Sequence, residues 1–264
     1  MAWLEELLQT RWTDLKVHVA TVSEQWCGVS VAGPKSRECI SKIVKDPDVM
    51  INENLPFMGV IETTLKSDIL CRIARISFSG EMAFEIYVPS DNATAMMDLL
   101  WKEAQEIDGC LYGLEALGAL RIEKGHVTGA ELDGRITIDD AGLGRMASTK
   151  KSYIGSAMRT RGVLSNEDRQ KLVGIFPKNK KETFDAGSIL CKPEEIKGFG
   201  VGRITSVTHS PALGHWIGLG LIAGGNEPWG GKTLVAADPV RNKNVEVEIV
   251  VPHMFDPEGK RMHG

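Results

Sequence analysis

Glu81 and Arg121 are the two residues whose settings could do chemistry in this 264-residue chain. Glu81 follows a Ser-Gly pair in RISFSGEMAFEI (75–86). The residues after it alternate as a strand, with Met82, Phe84, Ile86 and Val88 on one face and Ala83, Glu85 and Tyr87 on the other. Leu70 to Ser77 also reads as strand, so Phe78-Ser79-Gly80-Glu81 is expected to be a hairpin connection. A carboxylate at such a tip is ordinarily just solvated. Arg121 lies in LYGLEALGALRIEKG (111–125). At about 100° per residue, Leu114, Leu117, Gly118, Leu120 and Ile122 form an apolar arc with Arg121 in its middle. A guanidinium does not lose its charge, so burial there requires a carboxylate or an anionic ligand. Two readings follow. Either Arg121 makes an internal ion pair, with Glu123 or Glu131, or it shares a pocket with Glu81. A pocket holding both charges suits a heterocycle with an amidine-like donor edge beside an acceptor.

Other candidate motifs fail on spacing. GGNEPWGGKT (224–233) has Asn226 where a phosphate-binding loop needs glycine, and a strand follows it rather than a helix. GFGVG (198–202) lacks the dinucleotide spacing. The six histidines do not fall near carboxylates or cysteines at metal-ligand intervals, and no nucleophile elbow is present. Cys27, Cys39, Cys71, Cys110 and Cys191 show no CxxC pair, which points to reduced thiols in a cytoplasmic protein. Thirty-one basic against 35 acidic side chains, with no basic block, argue against nucleic acid as a partner. The N-terminus does not read as a signal peptide, and no stretch approaches the roughly 20 apolar residues of a membrane span.

The elements that must position these residues are legible from periodicity. Trp3, Leu4, Leu7, Leu8 and Trp12 repeat at helical spacing, as expected of a helix docked on a core. SRECISKIV reads as a helix opened by Ser36. Strands are expected over Pro56–Leu65 and Ile69–Val88. A helix is expected from Pro89-Ser90-Asp91 to Ile107, and another from about Tyr112 to Lys124, closed by Gly125. RTRGVLSNEDRQK (159–171) is polar and aperiodic, a linker. Beyond it only strands and glycine turns appear. The fold class is α+β, divided as an α+β region over 1–160, a linker over 161–171 and an all-β module over 172–258.

RISFSGEMAFEIYVP, GLEALGALRIEKG, ELDGRITIDDAGLG and KKSYIGSAM, in this order, resemble the folate-dependent aminomethyltransferase family of the glycine-cleavage T-protein. GRITSVTHSPALGHWIGLGLI is similar to that family's β module. WLEELLQTRWTDLKVHVATVSEQW and PHMFDPEG are similar to the C-terminal part of the heterotetrameric sarcosine oxidase α subunit. The resemblance implies an aminomethyltransferase-like folate-binding fold followed by a β-barrel or jelly-roll-like module. It implies that Glu81 accepts from the ring N–H and exocyclic amine of a pterin, that Arg121 serves the same pocket, and that Phe78, where many members have Tyr, packs nearby. Tetrahydrofolate is the implied cofactor: it attacks an iminium or aminomethyl carbon and yields methylenetetrahydrofolate. The family's N-terminal segment, with the aspartate that assists the folate nitrogen, is expected to be absent. Neither Asp14 nor Glu24 sits in a matching motif, so no catalytic residue is assigned. FAD or FMN would enter only through missing segments or a flavin-containing partner subunit. Enzymatic activity is therefore expected of a larger assembly and is left open for this chain alone. The alternative is a non-catalytic folate-binding or interaction subunit, including the iron–sulfur maturation branch. That branch carries K-G-C-[FY]-x-G-Q-E, whereas KGHVTGAE (124–131) has His126 for the cysteine and Ala130 for the glutamine.

Overall fold

Alternating burial builds the first sheet. A computed structural model describes residues 1–264, which pack as two units. One comprises Met1–Ser77, Glu81–Leu111 and Met262–Gly264; the other comprises Phe78–Gly80 and Tyr112–Arg261. The first unit contains helices α1 (Ala2–Thr10), α2 (Ser36–Ile43) and α3 (Ala93–Gln105). Its strands are β1 (Trp26–Ala32), β2 (Val60–Thr64), β3 (Leu70–Ala74) and β4 (Ala83–Pro89), paired antiparallel in the order β1-β4-β3-β2. Phe84, Ile86 and Val88 of β4 and Ile73 of β3 share a core with Cys39, Ile40 and Ile43 of α2 and Met96 and Leu100 of α3. Each such side chain contributes roughly 1.5–3 kcal/mol by leaving water. The same strands also carry partly solvated polar groups: Arg72 pairs with Glu62 at 2.8 Å and lies over the Trp26 ring.

Two expectations change here. The expected hairpin joins β3 to β4, but the register ends at Ala74↔Glu85, so the connection takes in 75–82 rather than only 78–81. And α1, despite its helical apolar spacing, buries none of its residues.

The second unit is a closed barrel with a long helix against it. Helix α4 spans Leu114–Lys124. Strands β5 (Gln170–Pro177), β6 (Ile189–Cys191), β7 (Gly202–Ser210), β8 (His215–Ala223), β9 (Thr233–Asp238) and β10 (Lys243–Val250) close in the order β10-β5-β8-β7-β6-β9. Val173, Ile175, Leu190, Ile204, Ile222, Leu234, Val247 and Ile249 fill one core. Ile217, Leu219 and Leu221 of β8 belong to another, with Ile122 of α4, and this is why β8 is apolar at nearly every position. Residues 112–160, read from sequence with the first region, pack with the barrel. The expected linker gives way to strand at Gln170, and its Arg169 is held by Asp140 at 2.6 Å and by the Arg135 carbonyl at 2.6 Å.

Candidate functional site

The last turn of α4 buries four consecutive residues, Arg121, Ile122, Glu123 and Lys124. The first turn does the reverse: Leu114 is 87% exposed, so the expected apolar arc is covered only at its C-terminal end. Gly125 explains where the helix stops. It takes φ +80°, its N–H and that of His126 bond back to the Ile122 and Arg121 carbonyls, and a Cβ there would meet the Pro252 oxygen at 2.4 Å.

Each buried charge of that turn has a partner within the second unit. Arg121 Nη1 donates to Glu131 Oε2 at 2.9 Å and to the His126 carbonyl at 3.2 Å, and Nη2 donates to Ser206 Oγ at 2.7 Å. Of the two pairs that the sequence left open, this is the one with Glu131; Glu123 instead accepts from Ser210 Oγ and the Ala212 N–H. Lys124 Nζ donates to the Asp256 carbonyl and lies 3.7 Å from its carboxylate. Glu131, 1% exposed, also accepts from Ser206 Oγ at 2.6 Å, Thr205 Oγ1 at 2.7 Å and the Thr128 N–H at 2.8 Å. Burial pushes its carboxyl up, but bonds from Ser206, Thr128 and Thr205 and the Arg121 charge outweigh this and hold it below the ordinary range. The network therefore holds Glu131 as an ionised carboxylate with both oxygens hydrogen-bonded.

What the network does is set a turn. Arg121 and Glu131 clamp residues 126–131 from both ends, and His126 at the start of that turn lies under Phe78. The two rings stack at 5.7 Å with 27° between planes, and His126 Nδ1 meets the Phe78 carbonyl at 2.9 Å. Because a carbonyl only accepts, Nδ1 carries the proton. Burial lowers the His126 pKa, helped by the charges of Lys124 and His253 and opposed by the bond to Phe78. Phe78 itself is 41% exposed, so it offers an aromatic surface. Sequence reasoning named Phe78 but missed His126 as its support. The signal available was its place one residue beyond a helix-stopping glycine.

Glu81 belongs to the first unit, half-buried at the end of loop 75–82 and two residues before β4. Phe78 and Arg121 belong to the second unit. Elsewhere in the second unit, Asp139, Ser148, Lys151, Tyr153, Arg159 and Lys171 help line an open cleft of about 660 Å³. No cluster of three His, Cys, Asp or Glu side chains could hold a metal ion. All five cysteines are free thiols, and no helix is long and apolar enough to cross a membrane.

Comparison with known proteins adds the family context. Residues 1–151 match the family model described as GCVT N-terminal domain, and residues 170–256 match the glycine cleavage T-protein C-terminal barrel domain. Sarcosine oxidase subunit alpha of Corynebacterium sp. (strain U-96) is 38% identical over 99% of the chain, and that of Rhizobium meliloti (strain 1021) is 36% identical over all of it. In both cases the match covers 27% of the relative, so this chain spans about a quarter of their length. An aminomethyltransferase from Bacillus licheniformis is 31% identical over 89% of the chain and 62% of the relative. The crystal structure of glycine cleavage system aminomethyltransferase T from Bartonella henselae shares the fold. Its TM-score is 0.70 at 20% identity, over 90% of this chain and 61% of that one.

Proposed function

This chain belongs to the glycine-cleavage T-protein family, and on that premise we propose that it is a tetrahydrofolate-binding domain of sarcosine oxidase α type. In this reading it takes part in one-carbon transfer that yields methylenetetrahydrofolate. The observation that carries the reading is Glu81, a half-buried carboxylate at the end of the loop that interrupts two well-ordered strands. Residues 75–82 are more than the two-residue turn that suffices to join antiparallel strands. Glu81 accepts from the donor edge of the pterin. Phe78, three residues earlier and backed by His126, supplies a flat apolar surface for ring packing. Arg121 acts at one remove, as a positioning residue: its bonds to Glu131 and the His126 carbonyl hold the turn that carries Phe78's support.

Tetrahydrofolate supplies the nucleophilic nitrogen; this chain's residues bind and orient it. No residue is assigned to proton transfer. The flavin half-reaction, with FAD or FMN, falls to other parts of a larger assembly or to a partner subunit. The relatives' name as oxidase subunits supports that division of labour. Free cysteines accord with a cytoplasmic setting.

Calorimetric titration of the folded chain with tetrahydrofolate tests the reading, with Glu81→Gln as control. Loss of a charge-assisted bond worth about 1.5–3 kcal/mol corresponds to affinity weakened by about 10- to 150-fold. Equal binding by both proteins would remove Glu81 from the site. No binding by the folded wild-type chain would overturn the folate assignment itself. Formation of methylenetetrahydrofolate in the assembled oxidase then separates transfer from binding alone.

A further inference from the structure

Arg75 is a buried cation without an anion. It is 3% exposed, and its acceptors are all neutral: Asn52 Oδ1 at 2.7 Å, the Leu55 carbonyl at 3.2 Å and the His263 carbonyl at 2.5 Å. Its Nε has no partner at all. A second guanidinium comes to the same place. Arg37, on α2, donates through Nη2 to the same Asn52 Oδ1 at 2.7 Å and through Nη1 to the Met50 carbonyl. No carboxylate forms an ion pair with either arginine. Burial lowers the pKa of both, and Arg75's charge lowers that of Arg37 further, against a smaller opposing effect of the Glu53 charge.

Leaving one ion buried and unpaired is unfavourable, and two cations on a single amide oxygen add repulsion. Proteins neutralise such a pair by an oxyanion, whose two or more oxygens match the planar fork of arginine. The place is reachable, because Asn52 is exposed and Arg37 half-buried. It is also assembled from distant parts of the chain. Helix α2, the 50–55 turn, the start of loop 75–82 and the chain end meet there, with His263 edge-on against Phe57 at 4.5 Å.

We propose that Arg37 and Arg75, with Asn52 at the mouth, form a binding site for a small oxyanion, either phosphate or the carboxylate of a small metabolite. The site lies wholly within the first unit and does not depend on the folate assignment. Arg75 supplies the buried charge, Arg37 the charge at the rim, and Asn52 the oxygen that the anion displaces.

Thermal unfolding of the whole chain tests this in sodium phosphate, in sodium acetate and in sodium chloride at matched ionic strength. In phosphate at tenfold excess over its Kd, the wild-type Tm should rise about 3 °C above that in chloride. A rise in phosphate alone assigns phosphate; a rise in acetate as well assigns the carboxylate. Arg37→Gln, a change at the rim that leaves the core intact, should abolish the rise. Asn52→Asp should raise the Tm in chloride, because it installs the missing anion, and should also abolish the response. Equal wild-type Tm in all three salts would overturn the proposal, even if Asn52→Asp stabilises. A rise that persists in both variants would overturn it too.

Discussion

Arg121 shows how a residue type can call for a partner without naming it. Its charge in an apolar stripe demanded an anion, and the structure provides Glu131 from ten residues on. Removing the arginine alone strands a carboxylate that is 1% exposed, so Arg121→Met is expected to destabilise the chain by about 3–5 kcal/mol in urea unfolding. Arg121→Met with Glu131→Leu should recover much of that loss. A double variant as unstable as the single one would show that the pair is not the reason. The same cluster sets a pH dependence. His126 is held neutral, its pKa lowered below the unfolded value of about 6.5. Its contribution is therefore complete above that value and lost as pH falls towards the folded one. Glu131 is likewise depressed, so its contribution fades only at lower pH, below the unfolded carboxylate value of about 4.3. Unfolding followed at pH 7.5 and pH 5.5 should show a loss of stability that His126→Gln diminishes. An undiminished loss would place the titration elsewhere.

At the scale of the element, α4 is two helices in one: an exposed first turn and a last turn set against the barrel. Glycine serves each part differently. Gly118 lies mid-helix with open space where a Cβ would go, so Gly118→Ala should stabilise by about 0.5–1 kcal/mol through helix propensity. Gly125 is left-handed and lies against the Pro252 oxygen, so Gly125→Ala should cost about 2 kcal/mol or more. Both are checked by denaturant midpoints at constant m-value. If Gly125→Ala proved neutral, the close approach of the 252–254 segment to the helix end would not be as described. Loop 75–82 makes the complementary point. Its flanking strands read cleanly from alternation, but nothing in periodicity says how many residues leave the ladder between them.

Over the whole molecule, stability comes from two sets of apolar cores, one of sheet and helices in the first unit and one of the closed barrel and α4 in the second. Helix α1 belongs to neither, since it buries no residue. Deleting residues 1–12 is accordingly expected to leave the Tm within about 2 °C, as surface changes of about 0.5 kcal/mol do in a chain of this size. A larger fall in a calorimetric scan would mean that the helix contributes packing that its burial does not reveal.

Much of this protein is determined by sequence alone, because its signals are local. Alternation at Met82–Val88 sets a sheet face, Gly125 stops a helix, and the change from helical to strand periods after residue 170 separates the barrel from what precedes it. The family, too, is carried by contiguous runs of residues. Other features were decided only by tertiary structure, because they depend on which distant groups meet. Helical spacing makes α1 amphipathic but cannot supply a core to cover it. A lone arginine signals that a partner is needed, but not whether that partner is Glu131 or a ligand. Arg75 gave no sequence signal, since its isolation from carboxylates arises where segments 37, 52, 75 and 263 converge. Periodicity encodes exposure along one element; electrostatic compensation is a property of the assembled neighbourhood.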